Sequence, residues 1–505
     1  MRHILLALSL LAAPAALAQA GLPDPHFGTD GVARLEPQDQ AEGWAAQTLA
    51  DGRVRVAGMH EGTAVVYGFD DSGAPDAAFG VNGVASTGRA GMHAVDPHVF
   101  PSGRIVVVAR PSRGSTVTGS ALVGLRADGT LDPDFGDGGT VASATYWLAL
   151  AADGDGFLTV GNDLDSRSGT VARFEADGTP DLSYGTEGRA RPLPDDPELL
   201  YQTPTDIAVD ASGRAVVVGA SARGPFDARL VAARLTPSGA PDPTFGAGGV
   251  ARPDVLSSSP APEWIGMALD AQHRVVLTNG GSVSHLDAQG DLDPSYGTGG
   301  TVWLGTDGSY PRTSRVLVQP DGKIVVAGDL SSEASGGFLA ARLTASGALD
   351  ATFGAGGVTV LPTAGERDYE YEWAFGLAPS ADGGVVLAGH RSSSAYTGDR
   401  VIVARLTGDV GVAAASGPVR GALALAHRGA DPSRQGRVAV RLAHAGAVRA
   451  TVHDALGRTV SVLHDGPLGA GEHAFAVGAP VPGVYLVRAV SADGAAAVLA
   501  VTVSR

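Results

Sequence analysis

Seven times between residues 22 and 358 the chain sets out Asp, two variable positions, Phe or Tyr, Gly, two more variable positions and Gly. The copies are LPDPHFGTDGV (22–32), APDAAFGVNGV (74–84), LDPDFGDGGTV (131–141), TPDLSYGTEGR (179–189), APDPTFGAGGV (240–250), DLDPSYGTGGT (291–301) and ALDATFGAGGV (348–358). A unit repeated in this way cannot bury its apolar face alone. Its neighbours must stack against it, in a solenoid or in a ring.

Two other motifs alternate with the first. One is a turn between valine-rich runs, clearest at LADGRVRVAG (49–58), FPSGRIVVVA (100–109), VDASGRAVVVG (209–219) and VQPDGKIVVAG (318–328), which predicts a tight β-hairpin. The other is a single strand such as LVAARLTPSG (230–239) or FLAARLTASG (338–347). Each period of about 50 to 60 residues therefore holds four short strands, a to d, and this favours a β-propeller over a solenoid, which prefers shorter periods with one strand per face. The expected fold is all-β, a seven-bladed β-propeller followed by a small immunoglobulin-like β-sandwich.

Strand arithmetic also predicts how the ring shuts. Residues 27–35 form a d-type segment with no a, b or c before it, and residues 373–407 hold a, b and c with no d after them. Pairing of 32–35 with 401–406 would close the ring and hide two sheet edges. Parity sorts the loops as well. In an antiparallel meander the a–b and c–d turns, both nearly uniform here, share one face. The b–c and d–a connections, which differ from repeat to repeat, share the other.

LDATFGAGGVTV (349–360) and VQPDGKIVVAGD (318–329) resemble the delta-60 repeat family, whose signature joins these two segments, and the resemblance spans nearly all of residues 22–407. It implies a propeller and no particular activity. After a small-residue linker at 408–418, short alternating strands over 419–505 suggest a sandwich of immunoglobulin type. There Asp454-Ala455-Leu456-Gly457-Arg458, Gly471-Glu472-His473 and Pro482-Gly483-Val484-Tyr485 are similar to the type A C-terminal sorting domain of proteins exported by the type IX secretion system. That resemblance implies a partner in the export machinery. Asp431-Pro432 stands where that family opens with Asn-Pro, and Arg505 where it often ends in lysines.

Residues 1–20, MRHILLALSLLAAPAALAQA, combine a basic start, an apolar run and small residues at Ala16-Leu17-Ala18 and Ala18-Gln19-Ala20. This is the pattern of a cleaved signal peptide. The expected domains are thus 1–20 signal peptide, 21–407 propeller, 408–418 linker and 419–505 sorting or anchoring sandwich, in a product secreted or held at the cell surface. No later apolar run reaches the roughly 18 residues a membrane helix needs. With no Cys, the fold must hold by packing and backbone pairing. The formal charge of -17, with Lys323 the sole lysine and no basic stripe, argues against nucleic acid.

An active site needs to occur once, whereas the Asp of the repeat occurs in every copy. It is therefore read as a turn cap, and its Phe or Tyr as a wedge between blades. Function is expected on the variable face, where loops sit on a rigid scaffold. The most distinctive loop is GERDYEYEW (365–373), with Glu366, Asp368, Glu370 and Glu372 among Tyr369, Tyr371 and Trp373. Carboxylates among aromatics can stack on sugar rings and bind hydroxyls, or take a cationic partner. His390 and Arg391 in the b–c loop of blade seven, and Glu198 and Tyr201 in the longest d–a loop, are further binding candidates. His93 and His98 lack a third ligand, and DGDG (153–156) and NDLDSRSG (162–169) lack calcium-loop spacing. No catalytic residue, metal or cofactor is assigned. The expected function is a non-catalytic scaffold for a glycan or protein partner. The alternative is an extracellular hydrolase or lyase at the central channel, marked by carboxylates or histidines clustered at its variable-face end.

Overall fold

A computed structural model describes residues 20–35, 41–112, 114–163, 169–194, 196, 198–224, 227–257, 265–305, 310–331, 336–362, 371–380, 382–392 and 400–409. Towards the C-terminus it describes 423–428, 437–442, 446–453, 459–469, 471–477, 483–491 and 496–503. Seven four-stranded antiparallel sheets form the first unit, Met1–Val410. Blade one is Glu42–Thr48, Val54–His60, Thr63–Phe69 and Val84–Ala90; blade two is Met92–Val99, Ile105–Pro111, Ser120–Leu125 and Thr140–Ser143. Blade three is Tyr146–Asp153, Gly156–Asn162, Thr170–Phe174 and Arg189–Ala190; blade four is Tyr201–Val209, Ala215–Ala222, Arg229–Leu235 and Val250–Ala251. Blade five is Ile265–Leu269, Val275–Asn279, Ser282–Leu286 and Thr301–Trp303; blade six is Tyr310–Val318, Ile324–Ser331, Gly336–Leu343 and Val358–Pro362. Blade seven takes Tyr371–Pro379, Val385–Ser392 and Arg400–Leu406 from the end of the ring and Val32–Arg34 from its beginning.

The first strands of successive blades touch in an unbroken cycle, so strand a of each blade is the inner one and rings a central channel. The protein is an all-β seven-bladed propeller. Valine-rich b and c strands bury both faces, and a large apolar cluster joins each pair of neighbouring blades, as where Val216 and Val218 of blade four meet Ile265, Met267 and Val275 of blade five around Phe245. Closure follows the expected pairing: Val32 lies opposite Ala404, Ala33 opposite Val403 and Arg34 opposite Ile402. The Leu35 amide adds a bond to the Val401 carbonyl.

The recurring turn is built as its composition implies, with one addition. Each motif Asp accepts, through Oδ1, the amide two residues on: His26 at 2.9 Å, Ala78 at 3.1 Å, Asp134 at 3.2 Å, Ser183 at 2.9 Å, Thr244 at 3.0 Å, Ser295 at 2.9 Å and Thr352 at 3.0 Å. The aromatic one residue further is fully buried, from Phe27 and Phe79 to Tyr296 and Phe353. The addition is a cation on the other carboxylate oxygen. Strand c supplies it in blades four, six and seven, where Arg234, Arg342 and Arg405 reach Asp242, Asp350 and Asp24 at 2.7, 2.8 and 2.6 Å. In blade one that position is Gly68, and Arg55, its partner across the ladder, reaches Asp76 at 2.8 Å instead. A Cβ on Gly68 would come within 3.0 Å of that guanidinium and 2.6 Å of the Phe79 ring. Several of these guanidinium groups lie over the wedge ring, Arg55 at 4.1 Å from Phe79 and Arg234 at 4.6 Å from Phe245, where cation–π attraction adds to the pair.

The turns also bind one another around the ring. The glycine after each aromatic donates to the carbonyl just before the turn glycine of the following blade: Gly28 to Ser72, Gly80 to Asp128, Gly136 to Asp177, Gly185 to Ser238, Gly246 to Gln289 and Gly297 to Ser346. Gly354 donates to Ala20 and completes the circle.

The second unit, Gly411–Arg505, holds two sheets. Leu423–Arg428, Arg437–Leu442 and Gly471–Ala476 form one; Thr459–Leu468, Gly446–His453, Gly483–Ser491 and Ala496–Val503 form the other. The sequence pattern does not suggest the first of these strands. Val438 of the smaller sheet is buried with Val452 and Val487 of the larger. Among the described residues no helix is long and apolar enough to cross a membrane.

Candidate functional site

Six of the expected loop residues lie in strands, among them Tyr371, Glu372 and Trp373 in the inner strand of blade seven. Tyr201 opens the inner strand of blade four opposite Ala222, and His390 and Arg391 sit in strand b of blade seven, opposite Trp373 and Glu372. The ladders run further toward the variable face than the turn residues suggested, because each segment finds a partner of equal length. Glu366, Asp368, Tyr369 and Glu370 lie outside the described residues, as does the side chain of Tyr371, which begins the inner strand of blade seven. Tyr201 packs against the core between blades four and five, remote from blade seven. Glu198 forms an exposed ion pair with Arg223.

The remaining candidates meet residues that no motif singles out. Trp44, the bulged residue of the inner strand of blade one, is stacked between His93 of blade two at 4.9 Å and Phe375 of blade seven at 4.7 Å. His390 stands at 5.6 Å from the Trp44 ring and edge-on to Trp373 at 5.3 Å. Its Nδ1–H donates to the Gly43 carbonyl at 3.0 Å and ties blade seven to blade one. Arg110 Nε donates to His93 Nε2 at 2.8 Å, so that nitrogen is an acceptor and the ring is neutral. Burial first, then the charges of Arg110 and His390, holds the His93 pKa well below the ordinary value. The Trp44 indole N–H donates to Glu42 at 2.9 Å. Beside Trp373, burial pushes the Glu372 carboxyl up to about 7, with Arg34 opposing. On blade six Arg312 pairs with Asp329, which burial raises to about 6 against that partner. Both faces of Trp44 are occupied, so Trp44 seals the seam. Half-buried Trp373 and Glu372 form the accessible part of this patch.

A second constellation lies deeper. Counted back from the hairpin, one inner-strand position is Ala45, Asp96, Ala149, Asp206, Gly266, Arg315 and Gly376 in blades one to seven. The three charged residues sit on blades two, four and six, which are not neighbours, yet Asp96 feels the charges of both Asp206 and Arg315, and Asp206 that of Arg315. The space they share is the channel. Asp96 accepts the Leu150 amide at 2.6 Å and Asp206 the Met267 amide at 2.9 Å, each from the next blade's inner strand. Surrounding protein first, then the Asp206 charge, pushes Asp96 up to about 6 against the Leu150 amide and Arg315. Burial raises Asp206 too, with Arg315 opposing. Aligning the repeats on the hairpin glycine would have exposed both constellations, as the positions inside a strand that break the pattern.

His93 and His98 do not form a metal pair: His93 faces Trp44, whereas His98 packs edge-on to Phe100 at 4.6 Å. Asp163 of the acidic NDLDSRSG segment accepts hydroxyls from Thr145 and Thr170, both at 2.6 Å. Among the described residues no three His, Cys, Asp or Glu side chains converge on a metal position.

A family model described as "Domain of unknown function (DUF5122) beta-propeller" matches residues 101–135 and 319–353, each running from a hairpin to the following Asp-x-x-Phe turn. No curated protein matches the chain. Among solved structures it is similar to a prolyl endopeptidase, at 11% identity over 80% of this chain and 55% of that one with a TM-score of 0.40. It is also similar to a PQQ-bound aldose sugar dehydrogenase from Streptomyces coelicolor, at 12% identity over 74% of this chain and 98% of that one with a TM-score of 0.36. This chain thus spans little more than half the length of the peptidase. Likenesses at this level carry no inference about activity.

Proposed function

We propose that this is an exported, non-catalytic propeller scaffold that binds a glycan or protein partner on its variable face. The observation that supports it is the end of blade seven, where Glu372 faces Arg391 and Trp373 faces His390 across one ladder. The half-buried Trp373 indole and the Glu372 carboxyl, with His390 and Arg391 buried opposite them, offer a stacking surface and a hydrogen-bonding group, which suits a sugar ring. In sequence, the segment 363–370 that precedes this strand carries Tyr369 and three acids, all outside the described residues. In this reading residues 419–505 are an immunoglobulin-like sorting sandwich that delivers the scaffold to the surface or the medium.

Two experiments test this. A glycan array probed with the wild-type chain and with Tyr369→Ala, Tyr371→Ala, Trp373→Ala should show binding lost in the variant with its melt intact; retained binding refutes the site. Removal of 419–505 should strand the protein in the periplasm, and normal export would refute the sorting role.

A second reading, a hydrolase or lyase at the channel, draws on the Asp96, Asp206 and Arg315 constellation, since two carboxyls that both bind protons more tightly than ordinary carboxylates can serve acid and base roles. Turnover of a polysaccharide that disappears in Asp96→Asn and in Asp206→Asn would favour it.

A further inference from the structure

We propose that the rim of the ring between blades five and six carries a sugar site of its own, a groove in which the Trp303 indole stacks against a neutral pyranose. The site is separate from the end of blade seven and does not depend on the reading given for it.

Strand d is the outermost of each blade, and where it leaves the recurring turn it runs beside the turn of the next blade. At the seam of blades five and six, Thr298, Thr301, Val302 and Trp303 on one side and Ser346 and Ala348 on the other line a groove of about 650 Å³. That volume lies within the range of small-molecule sites. The bond from the Gly297 amide to the Ser346 carbonyl joins the two sides.

Trp303 stands ten residues after its motif Asp, where the other blades carry Arg34, Ser86, Ala142, Arg191, Arg252 and Val360. It is 59% exposed, whereas every other Phe, Tyr or Trp side chain among the described residues is buried or half-buried. The ring is set against bare backbone. A Cβ on Gly281 would come within 2.7 Å of its Cη2 and one on Gly305 within 2.5 Å of its Nε1, so the indole abuts main chain at both ends. The backbone of Trp303 is fixed as well, opposite Ser282 in the ladder and next to the bond from the Leu304 amide to the Gly281 carbonyl at 2.8 Å. A stacking surface ordered before the ligand arrives lowers the entropy cost of binding.

Charge selects the class of ligand. The equivalent groove between blades four and five carries Arg252, Asp254 and Asp291, and its arginine already donates to Ser221 Oγ at 3.2 Å and Gln202 Oε1 at 3.1 Å. Among the described residues the groove at Trp303 has no ionisable lining side chain, and its polar side chains are the hydroxyls of Thr298, Thr301 and Ser346. An anionic sugar would find no cation there and a cationic ligand no carboxylate. A neutral pyranose offers a C–H face to the indole and hydroxyls to the polar groups beside it.

Electrophoresis of the full chain through gels containing dextran, galactomannan or hydroxyethyl cellulose, with polygalacturonate as the acidic comparison, tests the proposal. Retardation by a neutral polysaccharide is expected. Trp303→Ala should weaken it at least about tenfold with the melt unchanged, and Trp303→Phe should keep part of it. Gly281→Ala, whose methyl drives the indole from its place, should weaken it too. No retardation by the neutral polymers, retardation by polygalacturonate only, or full binding by Trp303→Ala would overturn the proposal. A loss in Trp373→Ala with none in Trp303→Ala would also overturn it and leave the blade-seven reading standing, whereas the reverse supports the rim site and counts against blade seven. A dimer that light scattering detects in the wild type and not in Trp303→Ala would assign the ring to a second copy of the chain and overturn the sugar site.

Discussion

Replacing Asp242 by Ala tests whether the repeated turn is held by its buried ion pair. Arg234 is 4% and Asp242 5% exposed, and Arg234 Nε donates to Asp242 Oδ2 at 2.7 Å. The same guanidinium donates to the Ala288 carbonyl of the next blade and to the Thr244 hydroxyl, both at 2.9 Å. Truncating Asp242 leaves that cation buried without its counter-charge, a change that costs about 3 to 5 kcal/mol, and removes the cap on the Thr244 amide. In a domain of this size the lower figure corresponds to about 4 °C of melting temperature, if the ring unfolds in one transition. The double variant Arg234→Met, Asp242→Ala removes both charges and keeps most of the volume over Phe245, so it should lose only about 1 to 2 kcal/mol. Urea unfolding of the four proteins at pH 7 gives the coupling directly. A loss below about 1 kcal/mol in Asp242→Ala, or a double variant as damaged as the sum of its parts, would refute the role given to the pair.

Two further outcomes are expected. Deleting residues 21–36 removes the fourth strand of blade seven and the seam bonds, and should lower the melting temperature sharply; an unchanged melt would contradict closure by that segment. Glu372 binds its proton more tightly folded, at about 7, than unfolded, so its contribution is complete below about pH 4 and declines as pH rises through 7. At about 1.4 kcal/mol per unit the decline is at most about 3 kcal/mol. Glu372→Gln should therefore flatten the fall in urea midpoint between pH 5 and pH 8, and parallel profiles would exclude it.

The masonry was legible because it repeats: the motif Asp, its aromatic and the paired glycines act through bonds within one turn. Their cations were harder to read, since Arg55 serves Asp76 only because the ladder sets it opposite Gly68. The candidate site was legible in part. Trp373 and His390 stood out in the sequence, but the loop boundaries around them did not, because strand length is settled by the partner across the ladder. Trp44 and the channel charges have meaning only once blades seven, one and two, or two, four and six, are brought together by closure.

Closure also sets the order of events in time. The segment that seals the ring is translated first, and its partners come last: Leu22 bonds Thr407 across 385 residues. Bringing such ends together costs about 2 kcal/mol more in chain entropy than closing one repeat of about 50 residues. Blades one to six can form on local contacts, whereas residues 20–35 must wait until strand Arg400–Leu406 exists. A chain threaded through a membrane from its N-terminus would carry that segment across early and unpaired, and the ring could lock only after nearly the whole propeller had arrived on the far side.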